Sequence, residues 1–494
     1  MNRIKRTYRS SLMLLTDLYQ LTMAHGYWKH GRHNNPAAFH LYFRKNPFGG
    51  GFTLACGLAE AVEVLSDFRF DESDLAYLST LTGNDGKPLF EPEFLAFLKT
   101  LEFSLDLQAL PEGTIVFPNE PLIRVTGPIL QCQLVETILL NIINFQTLIA
   151  TKSARICLAA RGDDVFEFGL RRAQGIDGAL AASRAAYIGG CAATSNVLAG
   201  KLFGIPVRGT HAHSWVMSFD DELEAFEAYA QAMPNNCVFL VDTYDTLEGV
   251  RKAAEVGKRL RQSGHKMVGI RLDSGDLAYL SIEARKILDT AGLKDAVIVA
   301  SNDLDETIIE SLKLQGAKIN LWGVGTNLVT GAGQSALGGV YKLTAEQAKD
   351  GSWTRRVKAS DVTSKSSIPG LLQVRRFSRD GSIVADAIFD EILGIGPAPT
   401  LVDPADPLRR KTIPTDLDSE DLLVPVMRQG KLLAEASSLE AIRTRVKSQL
   451  GGLYAGITRF THPHLYPVGL EEGLARIRSE MLLKAKVSNR KNTG

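Results

Sequence analysis

Several kinds of residue are scarce in this sequence, and each scarcity excludes something. Cysteine occurs five times in 494 residues, at scattered positions with no close pairing. That excludes a disulfide-stapled scaffold and a zinc ribbon, and suits a reducing cytoplasm. An excess of charge of one sign is missing too. Lys and Arg number 56 against 55 Asp and Glu, so the charge balance gives no reason to expect nucleic acid or a membrane surface as partner. No uninterrupted apolar run is long enough to cross a bilayer. The greasiest stretch, 134–150, contains Glu136, Asn141, Asn144 and Gln146, which makes it a buried amphipathic helix. Residues 1–9 are basic, but the apolar run behind them is broken by Thr16 and Asp17, so no secretory signal is expected. Long internal repeats and low-complexity tracts are absent as well. A chain of this length can bury a large core and suggests two or three domains.

Histidine is also scarce, at nine, yet two stand together in Gly209-Thr210-His211-Ala212-His213-Ser214. A short apolar stretch at 205–208 precedes them and reads as a strand. A Glu- and Ala-rich stretch at 219–232 follows and reads as a helix. Such strand-to-helix turns carry the chemistry of parallel α/β proteins. Three readings are open. Metal ligation needs further ligands, and the other histidines lie near the N-terminus, at His265, or at His462 and His464. A packed, structural ring is the second reading. Nucleophilic or acid–base work on a phosphate-handling turn is the third.

Along the chain, the first region is mixed α+β. A helix is expected after Thr16 or Asp17 as N-cap, strands at 39–43 and 53–56, and helices at 73–78 and 92–98. Strands at 115–117 and 122–125 are expected to form an open hairpin around Asn119-Glu120. After a helical stretch at 134–160, short apolar strands alternate with helices. The strands are expected at 165–168, 186–188, 205–208, 238–241, 267–271, 296–300 and 320–324, with helices at 246–261 and 304–314 among them. Repeated strand–helix units imply a parallel sheet of about seven strands. On pattern alone it is either an irregular α/β barrel or an open doubly wound sheet. Beyond residue 338 the chain returns to strands. Arg379-Asp380-Gly381 and Arg428-Gln429-Gly430 each join two of them as hairpin turns, and helices at 438–450 and 470–484 follow. The expected organisation is a mixed α+β domain over 1–135, joined by 336–400 and so discontinuous. An α/β barrel covers 136–335, and a C-terminal α+β extension 401–494.

The strand ends carry polar clusters: Glu167-Phe168-Gly169-Leu170-Arg171-Arg172, the His turn, Asp242-Thr243-Tyr244-Asp245, Arg271-Leu272-Asp273-Ser274-Gly275-Asp276, Ser301-Asn302-Asp303 and Gly323-Val324-Gly325-Thr326-Asn327. Carboxylates suit a divalent metal or ribose hydroxyls, arginines suit anions, and Gly/Thr turns can cradle phosphate. One such turn is ordinary. All of them on one edge point to a sugar-phosphate substrate. Residues 237–246 lack the adjacent acid pair and Thr-Gly of the commoner phosphoribosyltransferase loop, and read as a strand end with Asp242 aimed into the site.

Six motifs in order carry a family resemblance. They are Thr16-Asp17-Leu18-Tyr19-Gln20-Leu21-Thr22-Met23, Phe166-Glu167-Phe168-Gly169-Leu170-Arg171-Arg172-Ala173-Gln174-Gly175, Ala193-Thr194-Ser195-Asn196-Val197, the His turn, Arg271-Leu272-Asp273-Ser274-Gly275-Asp276 and Leu337-Gly338-Gly339-Val340-Tyr341-Lys342-Leu343. Together they resemble nicotinate phosphoribosyltransferase, a type II phosphoribosyltransferase, from about residue 12 to beyond 370. The long C-terminal region resembles the longer subgroup.

The resemblance implies an irregular α/β barrel with an N-terminal mixed domain, and a head-to-tail homodimer with shared sites. It implies transfer of phosphoribosyl from 5-phosphoribosyl 1-diphosphate to nicotinate, coupled to ATP hydrolysis through a phosphohistidine, with Mg²⁺. By position, His213 is the phosphorylated histidine. Asp242 is expected to hold its other ring nitrogen, as a triad carboxylate does. Phe168 and the partner copy's equivalent of Tyr19 would sandwich the pyridine ring. Arg171 and Arg271 would engage the substrate carboxylate or phosphates. Asp273 would support ribose and Mg²⁺, Asn302 and Asp303 the ribose, and Gly325 and Thr326 the 5-phosphate. Lys342 would face diphosphate or ATP, and Asp17 and Thr210 join the substrate-binding set.

Ser195 bears on the choice of ring. The related nicotinamide-using enzymes have an aspartate there, whereas a neutral Ser avoids repelling a carboxylate substrate. Alternatively, Ser195 caps the helix that follows. Nicotinamide or quinolinate as acceptor, and a non-catalytic barrel binding phosphoribosyl ligands, are the rival functions.

Overall fold

The amphipathic stretch beyond residue 128 forms two helices, Ile129–Leu134 and Glu136–Ala160. In this computed structural model, residues 12–360, 365–433 and 435–491 are described; the basic residues 1–9, weighed above as a signal, lie outside them. Contacts divide the chain into two units. One comprises Met1–Thr147, Leu337–Arg459 and Pro463–Gly494, the other Leu148–Ala336 with Phe460–His462.

The first unit is built on an antiparallel sheet of seven strands and a mixed sheet of six. The seven-stranded sheet runs in the order Trp353–Arg355, Gly339–Gln347, Pro36–Phe43, Ile123–Pro128, Asp106–Ala109, Val424–Arg428, Lys431–Leu432. Pro36–Phe43 is buried at every position after the first, which suits a central strand read as a continuous apolar run. It pairs antiparallel with Gly339–Gln347, from Ala37 opposite Glu346 to Phe43 opposite Gly339. The mixed sheet contains Leu372–Arg379 paired with Ser382–Asp390, both inside its edges. Asp380 and Gly381 have φ of 49° and 78°, and Gln429 and Gly430 have 48° and 73°. Positive φ at both central residues is the mark of a type I′ hairpin turn, so both expected hairpins form.

Two expectations fail in this unit. The strand Ile115–Val116 pairs with Thr53–Leu54, not with Ile123–Pro128, which lies between Pro36–Phe43 and Asp106–Ala109. The loop between them is turned aside: Asn119 N–H donates to Phe43 O at 2.7 Å, and Glu120 Oε2 accepts from Phe117 N–H at 2.9 Å. Residues 401–494 do not form a region of their own. Their strands are distributed over both sheets.

The second unit carries one parallel sheet. Its strands are β1 (Asp164–Glu167), β2 (Ala193–Thr194), β3 (Val238–Leu240), β4 (Gly269–Leu272), β5 (Val297–Ala300) and β6 (Leu321–Val324). They lie in the order β2-β1-β6-β5-β4-β3, all parallel. Helices Thr246–Gln262, Leu277–Thr290 and Glu306–Leu314 alternate with β3 to β6, as a parallel sheet requires. The sheet has six strands where about seven were expected, and among the described residues no strand ladder closes it. The expected strand at 186–188 is the end of the helix Ile176–Ile188. Its alanines favour a helix, and Gly189-Gly190 stops it before β2. The expected strand at 205–208 supplies only a bridge, Val207 to Thr194.

Candidate active site

The carboxyl ends of β1, β2, β4, β5 and β6 surround an open cavity of about 270 Å³ within the second unit. Phe168, Arg171, Ser195, Thr210, Arg271, Asp273, Asn302, Asp303, Gly325 and Thr326 line it, all expected from the sequence. Such a crevice at the carboxyl edge of a parallel sheet is where α/β ligands bind.

Arg271, at the end of β4, is the centre of the polar network. Its Nε donates to Ser301 Oγ at 2.8 Å, one terminal nitrogen to Thr210 Oγ1 at 3.0 Å, and the other to Asp273 Oδ1 at 2.9 Å. Its guanidinium carbon is 5.9 Å from the centre of the Phe168 ring. The ends of β4 and β5 and the turn that carries Thr210 are thereby tied to one cation. Burial alone would raise the Asp273 carboxyl, but hydrogen bonds from Ser301 and Arg271 hold it below the ordinary carboxylate value. Asp273 is therefore an anion at neutral pH.

His213 opens the short helix His213–Met217. Its Nδ1 is 3.1 Å from Thr243 Oγ1, and its Nε2 is 3.8 Å from Asp273 Oδ2. Here the expected pairing is corrected: the hydrogen bond at Nδ1 is made with Thr243, not Asp242. Asp242 Oδ2 is taken by Asp273 N–H at 2.8 Å and Ser274 Oγ at 2.6 Å. Its Oδ1 is buried with no hydrogen-bond partner among the described residues. Asp242 thus shapes the turn that presents Asp273.

Ser195 does not cap the helix Val197–Phe203. Asn196 does, its side chain accepting from Ala199 N–H at 3.2 Å. The Ser195 side chain is left to the cavity wall. Asn302 and Asp303 have φ of 91° and 45°, left-handed values that Asn and Asp tolerate best. Asn327 Nδ2 holds this bend by donating to Asp303 O at 2.7 Å.

Asp17, Tyr19 and Lys342 belong to the first unit. Asp17 precedes the helix Leu18–Lys29 without a side-chain cap bond and instead accepts from Thr137 Oγ1 at 2.9 Å. Tyr19 is 47% exposed, and burial of its remainder together with the Glu136 carboxylate raises its hydroxyl to about 12. Burial lowers the Lys342 ammonium, which donates to Tyr341 O at 2.8 Å.

Four contributors were not singled out from the sequence. Thr243 and Ser301 stand in the strand-end clusters read above, and Arg172 also lines the cavity. Glu167 is fully buried. Its carboxylate accepts from Gly169 N–H and from the hydroxyls of Ser183 and Thr194, which ties the turn after β1 to the end of β2. An acid between two phenylalanines of a buried strand was the available signal.

The comparisons with known proteins agree over most of the chain. Family models described as the nicotinate phosphoribosyltransferase N-terminal domain, family and C-terminal domain match residues 14–144, 164–370 and 373–478. A nicotinate phosphoribosyltransferase of Bacillus subtilis (strain 168) is 44% identical over 472 residues, covering 94% of this chain and 93% of that protein. One from Dictyostelium discoideum is 40% identical over 520 residues, covering 93% and 86%. The crystal structure of human nicotinic acid phosphoribosyltransferase is similar at a TM-score of 0.81 and 33% identity, covering 94% of this chain and 99% of that one. With matched segments holding the cavity, the Arg271 network and the His213 turn, the chain belongs to the nicotinate phosphoribosyltransferase family.

Proposed function

We propose that the protein transfers phosphoribosyl from 5-phosphoribosyl 1-diphosphate to nicotinate, giving nicotinate mononucleotide and diphosphate for NAD biosynthesis by salvage. ATP hydrolysis is coupled to it through a phosphohistidine at His213. The observation that carries the reading is the pairing of Arg271 and Asp273 in the wall of a crevice suited to a sugar phosphate, with His213 beside Asp273.

The nicotinate ring nitrogen forms a bond to the anomeric carbon of the ribose, and the carbon–oxygen bond to diphosphate breaks. The diphosphate leaves with the electron pair. Phe168 offers its face to the pyridine ring, with Tyr19 of a second copy on the other side. Ser195 gives this pocket hydroxyl character without negative charge, which favours the carboxylate of nicotinate. Arg171 and Arg271 supply positive charge for carboxylate or phosphate oxygens, and Thr210 supports them. Asn302 and Asp303 bind the ribose, Gly325 and Thr326 its 5-phosphate, and Lys342 and Asp17 complete the substrate contacts.

In the coupled reaction, a His213 ring that donates Nδ1–H to Thr243 keeps its lone pair on Nε2. That nitrogen takes the γ-phosphoryl of ATP and ADP leaves. Water later breaks the phosphorus–nitrogen bond and inorganic phosphate is released. Asp273, an anion beside Nε2, stabilises the positive charge on the ring.

The residues fit a magnesium ion held jointly with substrate. Mg²⁺ takes one or two carboxylates and completes its shell with phosphates and water. Asp273 Oδ2 and the unpartnered Oδ1 of Asp242 are the oxygens available. Bound there, the ion would neutralise charge on the diphosphate. A homodimer with shared sites and a cytoplasmic location complete the reading. No described helix is long and apolar enough to cross a membrane.

The test is chromatography of mononucleotide formed from 5-phosphoribosyl 1-diphosphate with nicotinate or nicotinamide, each with and without ATP. Product from nicotinate, raised by ATP, is expected. Product from nicotinamide alone sinks the Ser195 argument but keeps the transfer chemistry. With no product from either, quinolinate is the next acceptor to try, and a ligand-binding role the next reading.

A further inference from the structure

The first histidine of the turn, His211, has no part in the chemistry above. His211 is 8% exposed. Its ring meets Tyr229 edge-on at 4.9 Å between centroids, with Phe226 and Phe239 at 6.2 and 6.4 Å. Nε2 accepts from the backbone N–H of Leu240 at 3.2 Å, and Nδ1 faces the Ala212 carbonyl oxygen at 3.4 Å. Accepting at Nε2 requires a lone pair there, so the proton sits on Nδ1. Burial lowers this imidazole to about 4, so it is neutral at physiological pH.

Leu240 gives that hydrogen bond its meaning. It ends β3, the edge strand of the parallel sheet. The next N–H, of Val241, donates back to Arg271 O beside β4 at 3.2 Å. In a strand, successive N–H groups point to opposite sides, so Leu240 N–H points off the open edge. The other edge is β2. There Thr194 N–H donates to Pro206 O and Arg208 N–H donates to Thr194 O, both at 3.0 Å. The stretch 205–211 thus touches both edges of one sheet. It meets β2 through its backbone and β3 through one imidazole.

Building on the His213 reading, we propose that His211 is a positioning residue. Its ring stands in for the missing ladder between β3 and the turn, closes the sheet into a ring, and fixes the turn so that His213 reaches Thr243 and Asp273. Thr210, one residue before it, meets Arg271; His213, two residues after it, meets Thr243 and Asp273. His211 is the pin between these contacts, and errors well below an ångström matter in such a site.

Two variants separate positioning from bulk. His211→Gln keeps an acceptor that can reach Leu240 N–H; His211→Leu fills similar space without one. In His211→Leu, kcat with ATP should fall by roughly tenfold or more, and phosphoryl label on His213 with it. KM for nicotinate should stay within about twofold, and His211→Gln should recover kcat to within about threefold of the parent. Gln no better than Leu, or Leu with the parent's kcat, overturns the proposal. Should His211→Leu not fold, a large loss of kcat in folded His211→Gln overturns it equally. A second measurement needs no activity: ¹⁵N-histidine spectra of the parent protein. A ring protonated at Nδ1 and not titrating near neutrality is expected; a ring titrating near its ordinary value, or protonated at Nε2, overturns the closure. If the parent takes no phosphoryl label, the phosphohistidine reading fails, while the spectra still decide whether His211 closes the sheet.

Discussion

Asp242 and Thr243 show how a single residue step changes a site. Both lie just past β3, where the alternation of a strand is giving way to a turn. The sequence places an acid and a hydroxyl there, but not which of them faces His213. Asp242 is claimed by the next strand's turn, through Asp273 N–H and Ser274 Oγ, so Thr243 is left to the imidazole. Residue types were therefore legible at this edge and partners were not, because partners depend on a neighbouring strand about 30 residues away. A buried group in the first unit was illegible for the same reason. Arg376 and Asp386 form an ion pair at 2.6 Å, 1% and 0% exposed, and Tyr466 donates to Asp386 at 2.8 Å. Burial, and then the Asp386 carboxylate, push the nearby Glu120 well above the ordinary value of 4.5. A carboxyl raised on folding supports the fold below its unfolded value, and that support is lost as pH rises toward the folded one. Glu120→Gln removes the titration and keeps the shape. Thermal melts should show this variant gaining on the parent between pH 5 and pH 8; a difference that is flat with pH would refute the protonated Glu120.

At the scale of elements, length decided what could be read. The strands expected at 165–168, 238–241, 267–271, 296–300 and 320–324 all form within a residue or two of their limits. Each is a short apolar run bounded by turn residues. Ala193–Thr194 has only two residues, too few to show any period, whereas the Ala-rich helix end beside it carries an apolar run of strand length. The same elements set how closely the Phe168 ring can lie against β6. A Cβ on Gly323 would come 2.7 and 2.8 Å from two atoms of that ring. The ring that is to stack on the pyridine therefore lies where only glycine leaves room. Gly323→Ala should tilt Phe168 away and raise KM for nicotinate by roughly tenfold. Overpacking of this kind also costs about 1–3 kcal/mol of stability. Steady-state kinetics on the folded variant check it; an unchanged KM would mean that Phe168 does not set the ring's position.

For the whole molecule, sequence order and spatial order part company. Pro36–Phe43 pairs with Gly339–Gln347, and Asp106–Ala109 with Val424–Arg428. Pairings over such separations leave no local pattern, which is why residues 401–494 read as an extension although Val424–Arg428 and Lys431–Leu432 complete a sheet begun near the N-terminus. Assembly is the remaining level. Tyr19 is a half-exposed aromatic of the first unit, and in the proposed homodimer it serves the cavity of the other copy. A two-fold dimer then has two equivalent sites, each needing one residue from either chain. Tyr19→Ala damages the site across the interface, and His213→Ala damages the site of its own chain. Combined in one dimer, the two variants spoil the same site and leave the second intact. Each variant alone should lose most ATP-coupled activity. Random re-pairing of an equal mixture makes half the dimers mixed, each with one whole site, so roughly a quarter of the parent activity should return. A mixture that stays as inactive as its components, although native mass spectrometry shows mixed dimers, would mean that Tyr19 serves its own chain or no site at all.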